Sequence, residues 1–397
     1  MRKISSPRSI LLTISVSHLM QHVFLGIGVL YPIIVVEFGL SFTQLGIVIA
    51  STTVTSGFLQ LLFSILSRYK AKKILLGAGG ILMGLGSFAT GLAFNFTHLI
   101  GARVLAGVGT APQHPIGTTI ISEKFKSSSR GGAIGMHFGL AYIGNIVGPL
   151  AMISIAATMG WRMSMYLLAI PAIVIGIAII ILLESEVKSA EAVGIKSSLK
   201  QDMADALKIK GAVVVIAAQA FTVGGTGQGA IINFIPIFLT NRFSLGVFEA
   251  GLIFTFILVG GVLGPLIIGR ISDKVGRIKT AFFAAVSSSA LVYLLIFHEE
   301  ANLLLIINLF IMALSSFSIS SILQAHLADI SEASVREMLM GLFFTIGFGF
   351  SSLWATVMGY LLDIYKSFAP PFTLMSILIL FASFLLLTQI KSTSAAR

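Results

Sequence analysis

The sequence predicts an all-α membrane protein whose twelve transmembrane helices form two pseudo-symmetric six-helix bundles. Hydrophobic residues make up 56% of the 397 positions, charged residues only 10%, and the mean hydropathy is +1.00. Soluble domains contain about 25% charged residues. The charged positions divide the chain into stretches of about 20 apolar residues, the length that crosses a hydrocarbon core of about 30 Å. A repeat relates the two halves of the chain.

The first six spans form the predicted N-terminal bundle, residues 1–183. A polar linker that we place on the cytoplasmic side follows at 184–210, and residues 211–397 form the predicted C-terminal bundle. The linker contains Leu199, Met203 and Leu207 at four-residue spacing, which suits a short helix on the membrane surface; a solvated, disordered linker is the alternative. The twelve predicted spans are 10–36, 42–66, 74–96, 98–122, 131–157, 162–183, 211–240, 246–270, 279–298, 302–328, 338–362 and 369–390.

An internal duplication relates the two bundles, because several distinctive residues recur at a shift of about 205 positions. Repeats of six spans in parallel place a pseudo-two-fold axis along the membrane normal and a substrate cavity near the midplane. The matching pairs are Pro32 with Pro236, Gly46 with Gly251, Glu123 with Asp329, Arg130 with Arg336, and Gly135 with Gly341.

Lysine and arginine are concentrated in alternate connections, which predicts the orientation of the chain. If the N-terminus faces the cytoplasm, inner segments hold 22 of the 26 basic residues and outer connections hold three. Inner loops of membrane proteins carry such an excess. We therefore predict a multi-pass protein of the cell membrane with both termini cytoplasmic. The net charge of +11 reflects topology and contact with anionic membrane lipids, and no nucleic-acid partner is expected.

The loop after span 8 carries the most specific motif. Residues 269–279 read GRISDKVGRIK, which resembles the signature loop of the major facilitator superfamily, G-x-x-x-D-[RK]-x-G-[RK]-[RK]. The resemblance implies a secondary transporter that works by alternating access. Gly269 would permit close helix contact, Gly276 would allow the turn, and Asp273 would face the start of span 5 when the cytoplasmic side is closed. A basic anchor to lipid is the alternative reading.

The equivalent loop of the first half keeps its basic charge but has Ser67 where the motif has a carboxylate. We therefore expect the closed cytoplasmic side to depend mainly on Asp273. The predicted gating residues are Gly269, Asp273, Lys274, Gly276, Arg277, Glu123, Arg130, Asp329 and Arg336.

Spans 4 and 5 carry two further resemblances to the superfamily. Arg103 begins a segment similar to R-x-x-Q-G, with Ala106 in place of glutamine. Gly135, Gly144 and the pair Gly148-Pro149 match most of the G-x8-G-x3-G-P pattern associated with antiporters, although the glycine pair that ends that pattern is missing. Ordinary close packing of helices through small residues explains the same glycines.

Polar residues far from the span ends are the candidate substrate and proton sites, because ionisable groups within a membrane are costly and usually functional. All 15 carboxylates lie at or beyond span ends, so the deep set is free of acids. His18, Gln21 and His22 share one helical face. For any single histidine, a neutral packing role is the competing interpretation. The candidates are His18, Gln21, His22, Arg103, Gln113, His114, His137, Tyr142, Asn145, Gln219, Gln228 and Asn233.

Cations and amides without acids suit an anionic substrate, whose charge stabilises a protonated imidazole and so links substrate to proton. We predict a secondary transporter of a small organic anion, with protons as the coupling ion. The alternatives are a proton-antiport exporter of drugs or metabolites, and a receptor or lipid-handling protein that transports nothing. The chain contains no Cys and no motif of a nucleophile, nucleotide or metal site, so we predict no enzyme activity, no cofactor and no bound metal. We expect a monomer.

Overall fold

The computed structural model describes residues 4–67, 69–184, 199–225 and 229–394. Within these ranges the regular structure is helical, apart from one isolated parallel bridge between Ile4 and Leu183. In that bridge the Ile4 backbone N–H donates to the Leu182 carbonyl at 2.7 Å. The bridge joins the start of the chain to the end of the sixth predicted span.

The described residues of the first half, 4–67 and 69–184, form eight helices. A 3₁₀ stretch at Gly26–Leu30 joins the first two into one continuous span. The helices are α1 (Pro7–Leu25), α2 (Tyr31–Phe38), α3 (Phe42–Leu66), α4 (Lys72–Leu92), α5 (Phe96–Thr110), α6 (Gln113–Lys124), α7 (Ser127–Met159) and α8 (Trp161–Leu182).

Eight more helices lie within 199–225 and 229–394, and the first of them is in the predicted linker. A 3₁₀ turn at Leu295–Phe297 extends the fifth. The helices are α9 (Leu199–Lys208), α10 (Ala212–Gly225), α11 (Ala230–Phe243), α12 (Val247–Val275), α13 (Arg277–Leu294), α14 (Leu303–Ile330), α15 (Ala333–Tyr365) and α16 (Ala369–Ser394).

Ten helical segments of the described chain are long and apolar enough to cross a membrane. Of the remaining two predicted spans, span 4 is divided into α5 and α6, and the described residues of span 7 form α10 before 226–228 and α11 after them. Pro112 separates α5 from α6, because proline lacks a backbone N–H and clashes with the preceding turn. The predicted fold class, an all-α multi-pass membrane protein with twelve spans, is confirmed.

The chain forms two compact units. The first comprises Met1–Ile33 and Ser51–Lys196, and the second comprises Ile34–Ala50 and Ser197–Arg397. The second unit therefore includes α2 and the first part of α3, a feature that hydropathy does not reveal. The predicted domain limits at 183 and 211 stay a prediction.

Close approach of α1 and α7 through glycine organises the first unit. A Cβ added at Gly148 would lie 2.3 Å from the Val23 carbonyl oxygen, and one at Gly144 would lie 2.5 Å from that of Leu19. Real Cβ atoms do not approach backbone this closely, so both positions require glycine. The seam fixes the depth of α1 against α7, and with it the register of the polar side chains that both helices carry.

Serine hydroxyl pairs and glycine contacts connect the helices of the second unit. Ser288 on α13 hydrogen-bonds Ser316 on α14 at 2.5 Å, and Ser289 bonds Ser376 on α16 at 3.0 Å. The Trp354 indole N–H donates to the Ala220 carbonyl at 3.2 Å. Such bonds satisfy buried polar groups between helices where lipid offers no partner.

The two units carry the same type of ion pair at one end of their bundles. Lys72 at the start of α4 pairs with Glu123 near the end of α6, and Arg277 at the start of α13 pairs with Asp329 near the end of α14 at 3.2 Å. Glu123 and Asp329 are matching positions of the sequence repeat. The duplicated pairs therefore extend the sequence repeat to three-dimensional contacts.

Helix α9 has the amphipathic character that the linker sequence predicts. Met203 and Leu207 are exposed, and the helix packs against α10 and α15. Hydrogen bonds from Gln201 and Lys208, each 2.9 Å long, lower the pKa of Asp205. The exposed apolar residues suit a helix lying on a membrane surface, which stays a prediction.

Candidate functional site

Helix α1 carries one polar face through the first unit. The helix begins at a Ser6 cap, whose hydroxyl accepts from the Ser9 N–H, with Pro7 in the first turn. Ser15, His18 and His22 follow at spacings of three and four residues, which places them on one face. All three side chains are at most 2% exposed. The polar face therefore points into the unit and not toward lipid.

Four histidines from three helices converge on this face. His18 lies at the centre: its ring centroid is 4.9 Å from that of His22, 4.9 Å from that of His114 on α6 and 4.5 Å from that of His137 on α7. The sequence predicts these four histidines as polar residues far from the span ends, and the structure brings them together. We call His18, His22, His114 and His137 the histidine cluster.

A chain of hydrogen bonds runs from α7 into the cluster. His22 Nδ1 lies 2.8 Å from the Asn145 side-chain oxygen, and His22 Nε2 lies 3.3 Å from His18 Nε2. The three side chains are at most 5% exposed. Because this site is shielded from water, its hydrogen bonds are strong and well ordered.

Amides and hydroxyls surround the rest of the cluster. Gln21 Nε2 lies 3.4 Å from His114 Nε2, and Ser15 Oγ lies 3.1 Å from His137 Nδ1. The Ser17 hydroxyl donates to Gln113 Oε1 at 3.1 Å. Tyr142 packs its ring 5.4 Å from that of His22. These contacts place eight of the predicted candidates in one region of the first unit: His18, Gln21, His22, Gln113, His114, His137, Tyr142 and Asn145.

Three buried polar atoms of this region lack a hydrogen-bond partner among the described residues. They are His18 Nδ1, His137 Nε2 and Gln21 Oε1. An unpaired buried polar group costs about 1–3 kcal/mol, so native proteins rarely keep one without a functional reason. The three atoms can accept hydrogen bonds from a ligand, and the two ring nitrogens can also take up a proton.

Arg103 is buried but lies away from the histidine cluster. It is 6% exposed, and its Nε atom has no partner among the described residues. Tyr31, 1% exposed, is the titratable group that interacts with it electrostatically. Arg103 precedes His114 by eleven positions, about 16 Å of helix. Arg103 therefore forms a separate buried positive charge, and no described carboxylate pairs with it.

The candidates in the second unit form local contacts. Gln219 on α10 donates to the Ser320 hydroxyl at 3.0 Å, and its Oε1 atom is buried without a partner in the described chain. Asn233 donates to the Gly229 carbonyl of its own helix at 3.0 Å. Gln228 lies outside the described residues.

The signature loop forms a compact network around Arg277. This guanidinium pairs with Asp273 and with Asp329, and donates to the Ser272 hydroxyl at 2.8 Å. Gly276 has a φ of 104°, which favours glycine. A Cβ built at Gly269 would meet no atom of the described residues within 4 Å, and the close helix contact predicted there stays a prediction.

The other gating candidates lie at the same ends of their bundles. Lys274 is exposed. Arg336 donates to the Ser331 carbonyl at 2.7 Å, and the side chain of Arg130 lies outside the described part of the chain. The predicted approach of Asp273 to the start of span 5 stays a prediction.

Sequence reasoning missed Ser15, Ser17 and Phe138. The Phe138 ring lies 5.2 Å from His18 and 5.4 Å from His137, so it forms an apolar wall of the cluster. Serine and phenylalanine are frequent in membrane helices and carry no signal alone. The spacing of Ser15 three residues before His18 could have identified it.

The described residues contain no group of three or more His, Cys, Asp or Glu side chains arranged to hold a metal ion.

The chain resembles known proteins in both its sequence and its fold. The sequence profile of the Major Facilitator Superfamily matches residues 11–246 and 217–396. The probable L-galactonate transporter of Escherichia coli K12 is 31% identical over 126 residues, 32% of this chain and 28% of that protein. The hexuronate transporter of Bacillus subtilis 168 is 25% identical over 255 residues, 63% of this chain and 60% of that protein. The chain thus matches less than two thirds of the length of either relative.

A longer match joins the chain to the fosmidomycin resistance protein of Escherichia coli K12, which is 24% identical over 360 residues, 89% of this chain and 86% of that protein. Among solved structures, the nucleoside transporter NupG has the same fold, with a TM-score of 0.79, 14% identity, and coverage of 96% of this chain and 99% of that chain. A bacterial homolog of the human lysosomal transporter Spinster gives a TM-score of 0.74 at 14% identity, covering 98% of both chains. With the family profile matched along nearly its whole length, this chain belongs to the major facilitator superfamily.

Proposed function

We propose that this protein is a secondary transporter that moves a small organic anion across the cell membrane by alternating access, coupled to protons. Its termini face the cytoplasm in this proposal, and it acts as a monomer among membrane lipids. The observation that carries the proposal is the histidine cluster, a buried and acid-free group of titratable side chains with unpartnered polar atoms.

The charge of the site favours an anion over a cation. The deep ionisable side chains, four histidines and Arg103, can only be neutral or positive near neutral pH, and every carboxylate lies at or beyond a predicted span end. A buried cation is costly without an opposite charge, whereas a bound anion supplies that charge. A site for a cationic drug would need a carboxylate at this depth.

Proton coupling follows from the same chemistry. Histidine is the side chain whose charge changes near physiological pH. A bound anion stabilises the protonated imidazole, and the protonated imidazole strengthens binding of the anion; linkage makes the two effects equal. The cluster can thus load a proton and an anion together and release them together.

Two relatives support the anionic class by name, because galactonate and hexuronate are both carboxylates of sugars. The match to this chain covers only 28% of the first relative and 60% of the second. Their names therefore guide the choice of probes and do not identify the substrate.

The test is uptake into proteoliposomes with the purified full chain. Radiolabelled galactonate and glucuronate are the first probes, with neutral sugars, organic amines and other organic acids as competitors. We expect uptake of an acid to rise when the outside is made more acidic than the inside, and to fall at least tenfold in His22→Ala and in His114→Ala. The control is His98→Ala, which removes an exposed histidine at the start of α5. Acid uptake at a rate that does not depend on the pH gradient and is unchanged in both cluster variants would disprove coupling to protons.

A drug or metabolite exporter is the second candidate function. The glycine seam of α7, which reproduces most of an antiporter-associated pattern, and the long match to the fosmidomycin resistance protein both favour it. Overexpression in a sensitive strain distinguishes the two, because an exporter raises resistance to several unrelated compounds. Binding of an acid in a thermal-shift assay without any counterflow would instead indicate a receptor or lipid-handling protein.

A further inference from the structure

Asn145, His22 and His18 form a hydrogen-bonded chain whose direction can be worked out from its end. The Asn145 side-chain oxygen, 2.8 Å from His22 Nδ1, only accepts hydrogen bonds. His22 Nδ1 must therefore carry a hydrogen. A neutral imidazole carries one hydrogen on its two nitrogens, so His22 Nε2 has a free lone pair in the neutral state.

The tautomer of His22 determines the tautomer of His18. His22 Nε2 accepts, so His18 Nε2, 3.3 Å away, must donate. In neutral His18 the remaining nitrogen, Nδ1, then has an unshared lone pair. This is one of the buried atoms for which the structure gives no partner. The chain thus ends on an open proton-accepting atom.

The groups around His18 allow one positive charge in the histidine cluster and disfavour a second. The titratable groups that face it are His22 on α1, His114 on α6 and His137 on α7, with Tyr142 of α7 beyond His22. None of these groups is a carboxylate. Two imidazolium rings with centroids 4.5–4.9 Å apart repel strongly in a medium of low dielectric constant, so protonation of one ring disfavours protonation of the others.

We propose that the histidine cluster takes up a single proton, that the proton enters at His18 Nδ1, and that Asn145 is the positioning residue that makes this atom the acceptor. The proposal rests on the proposed function, because it identifies the coupling proton of that transporter.

The transfer balances atom by atom. The incoming proton bonds to the lone pair of His18 Nδ1 and gives an imidazolium. His18 can then pass its Nε2 proton to His22 Nε2, which leaves neutral His18 as the opposite tautomer and places the charge on His22. There the Asn145 oxygen stabilises the charge through its hydrogen bond to Nδ1. The return transfer restores the first arrangement.

The test is nitrogen NMR of the full chain, labelled with ¹⁵N-histidine and reconstituted in lipid bilayers, titrated from neutral pH to about pH 4. Chemical shifts distinguish the two neutral tautomers and the imidazolium, and single His→Gln variants assign the signals. We expect neutral His22 protonated at Nδ1, neutral His18 protonated at Nε2, and one proton bound by the cluster at the acid end. Exposed His98, outside the cluster, gives its own signal in the same spectra and serves as the reference for signal assignment.

Asn145→Asp provides a matched variant of nearly the same shape. Its carboxylate supplies the negative charge that the cluster lacks, so the number of protons bound should rise from one to two. The opposite tautomer in wild-type His22, two protons in the wild-type cluster, or an unchanged count in Asn145→Asp would each overturn the proposal. The wild-type spectra decide the first two outcomes even if the variant does not fold.

The measurement separates this inference from the proposed function. If the spectra show the expected tautomers and one bound proton but no acid is transported, the proton site is confirmed and its role in transport is disproved. If transport follows the pH gradient but the cluster binds two protons, only the single-proton chain fails.

Discussion

Asp363 on α15 binds Thr43 in the first turn of α3 through two hydrogen bonds. The Thr43 hydroxyl donates to Asp363 Oδ2 at 2.5 Å and the Thr43 backbone N–H donates to the same oxygen at 2.7 Å. The Phe42 N–H donates to the other carboxylate oxygen at 2.9 Å. A carboxylate at a helix N-terminus also interacts favourably with the helix dipole. The contact joins two parts of the second unit that lie 320 positions apart in sequence.

We predict that Asp363→Ala releases the start of α3. The variant leaves three donors without their carboxylate, and hydrogen bonds to charged groups contribute about 1.5–3 kcal/mol each. Because the contact is only partly buried and water replaces some of it, we expect a total loss of about 1–3 kcal/mol, measured as a lower melting temperature. Asp363→Asn should lose less, since its oxygen still accepts.

A labelling experiment tests the local consequence. The chain contains no native Cys, so Leu45→Cys, at a fully buried position of α3, provides a unique thiol. We expect a maleimide that cannot cross membranes to label it faster when Asp363→Ala is added. Glu249→Ala is the control, because Glu249 at the start of α12 accepts only one bond, 3.3 Å from Gly246 N. Equal labelling in all three backgrounds would contradict the prediction.

The glycine seam between α1 and α7 predicts a sharp difference between two alanine substitutions. A Cβ at Gly148 would lie 2.3 Å from the Val23 carbonyl oxygen, whereas one at Gly139 on the same helix would meet no atom of the described chain within 4 Å. Overpacking of this type costs about 1–3 kcal/mol. We expect Gly148→Ala to lower the melting temperature and Gly139→Ala to leave it unchanged or raise it. Similar melting temperatures for both would show that α1 and α7 separate easily.

The sequence predicted the helices well because hydropathy and length determine membrane spans. The break in span 4 lies beside Pro112, a residue that interrupts helices. The sequence could not predict that residues 34–50 belong to the second unit, because hydropathy marks a span without saying which helices it contacts. That assignment depends on pairs such as Asp363 with Thr43, which are distant in sequence and unremarkable when considered singly.

The candidate site was predictable to the extent that polarity and depth mark it. Both criteria select the four histidines and their amide neighbours, because polar groups are rare within spans. They also select Arg103 and Asn233, which the structure places elsewhere. The sequence gives the depth of a residue along its helix but not the direction in which its side chain faces. Because the packing of the helices was unknown, the sequence could not predict that the other three histidines surround His18.

The signature loop and its counterpart in the first half predict an asymmetry between the two halves in transport. Asp273 belongs to a network with Arg277, whereas the matching position of the first half holds Ser67, whose hydroxyl bonds the Ser64 carbonyl of its own helix at 2.7 Å. We expect Asp273→Asn to reduce the initial rate of uptake several-fold and Ser67→Ala to leave it within about 20% of wild type. Comparable losses in the two variants, at equal amounts of folded protein in the membrane, would argue against the asymmetry.

Gly117 on α6 predicts a change in substrate affinity without a loss of stability. A Cβ there would lie 3.6 Å from His137 Nε2, 3.7 Å from Gln113 Nε2 and 3.3 Å from Ile14 Cγ2. The two nitrogen distances are ordinary van der Waals contacts, and the Ile14 methyl group must move by a few tenths of an ångström; alanine favours a helix over glycine by about 1 kcal/mol. Gly117→Ala should therefore fold as well as wild type or better, yet its methyl group occupies space beside the unpartnered nitrogen of His137.

If substrate reaches that nitrogen, the methyl group excludes it, and the KM for uptake should rise at least threefold while the maximal rate changes little. Gly132→Ala on α7, where a Cβ meets no atom within 4 Å among the residues that the structure describes, is the control for adding a methyl group to a helix. An unchanged KM together with an unchanged melting temperature would mean that substrate does not contact His137. A lower melting temperature would mean that α6 tolerates no methyl group at this position, and the larger Gly117→Ser should then be worse still.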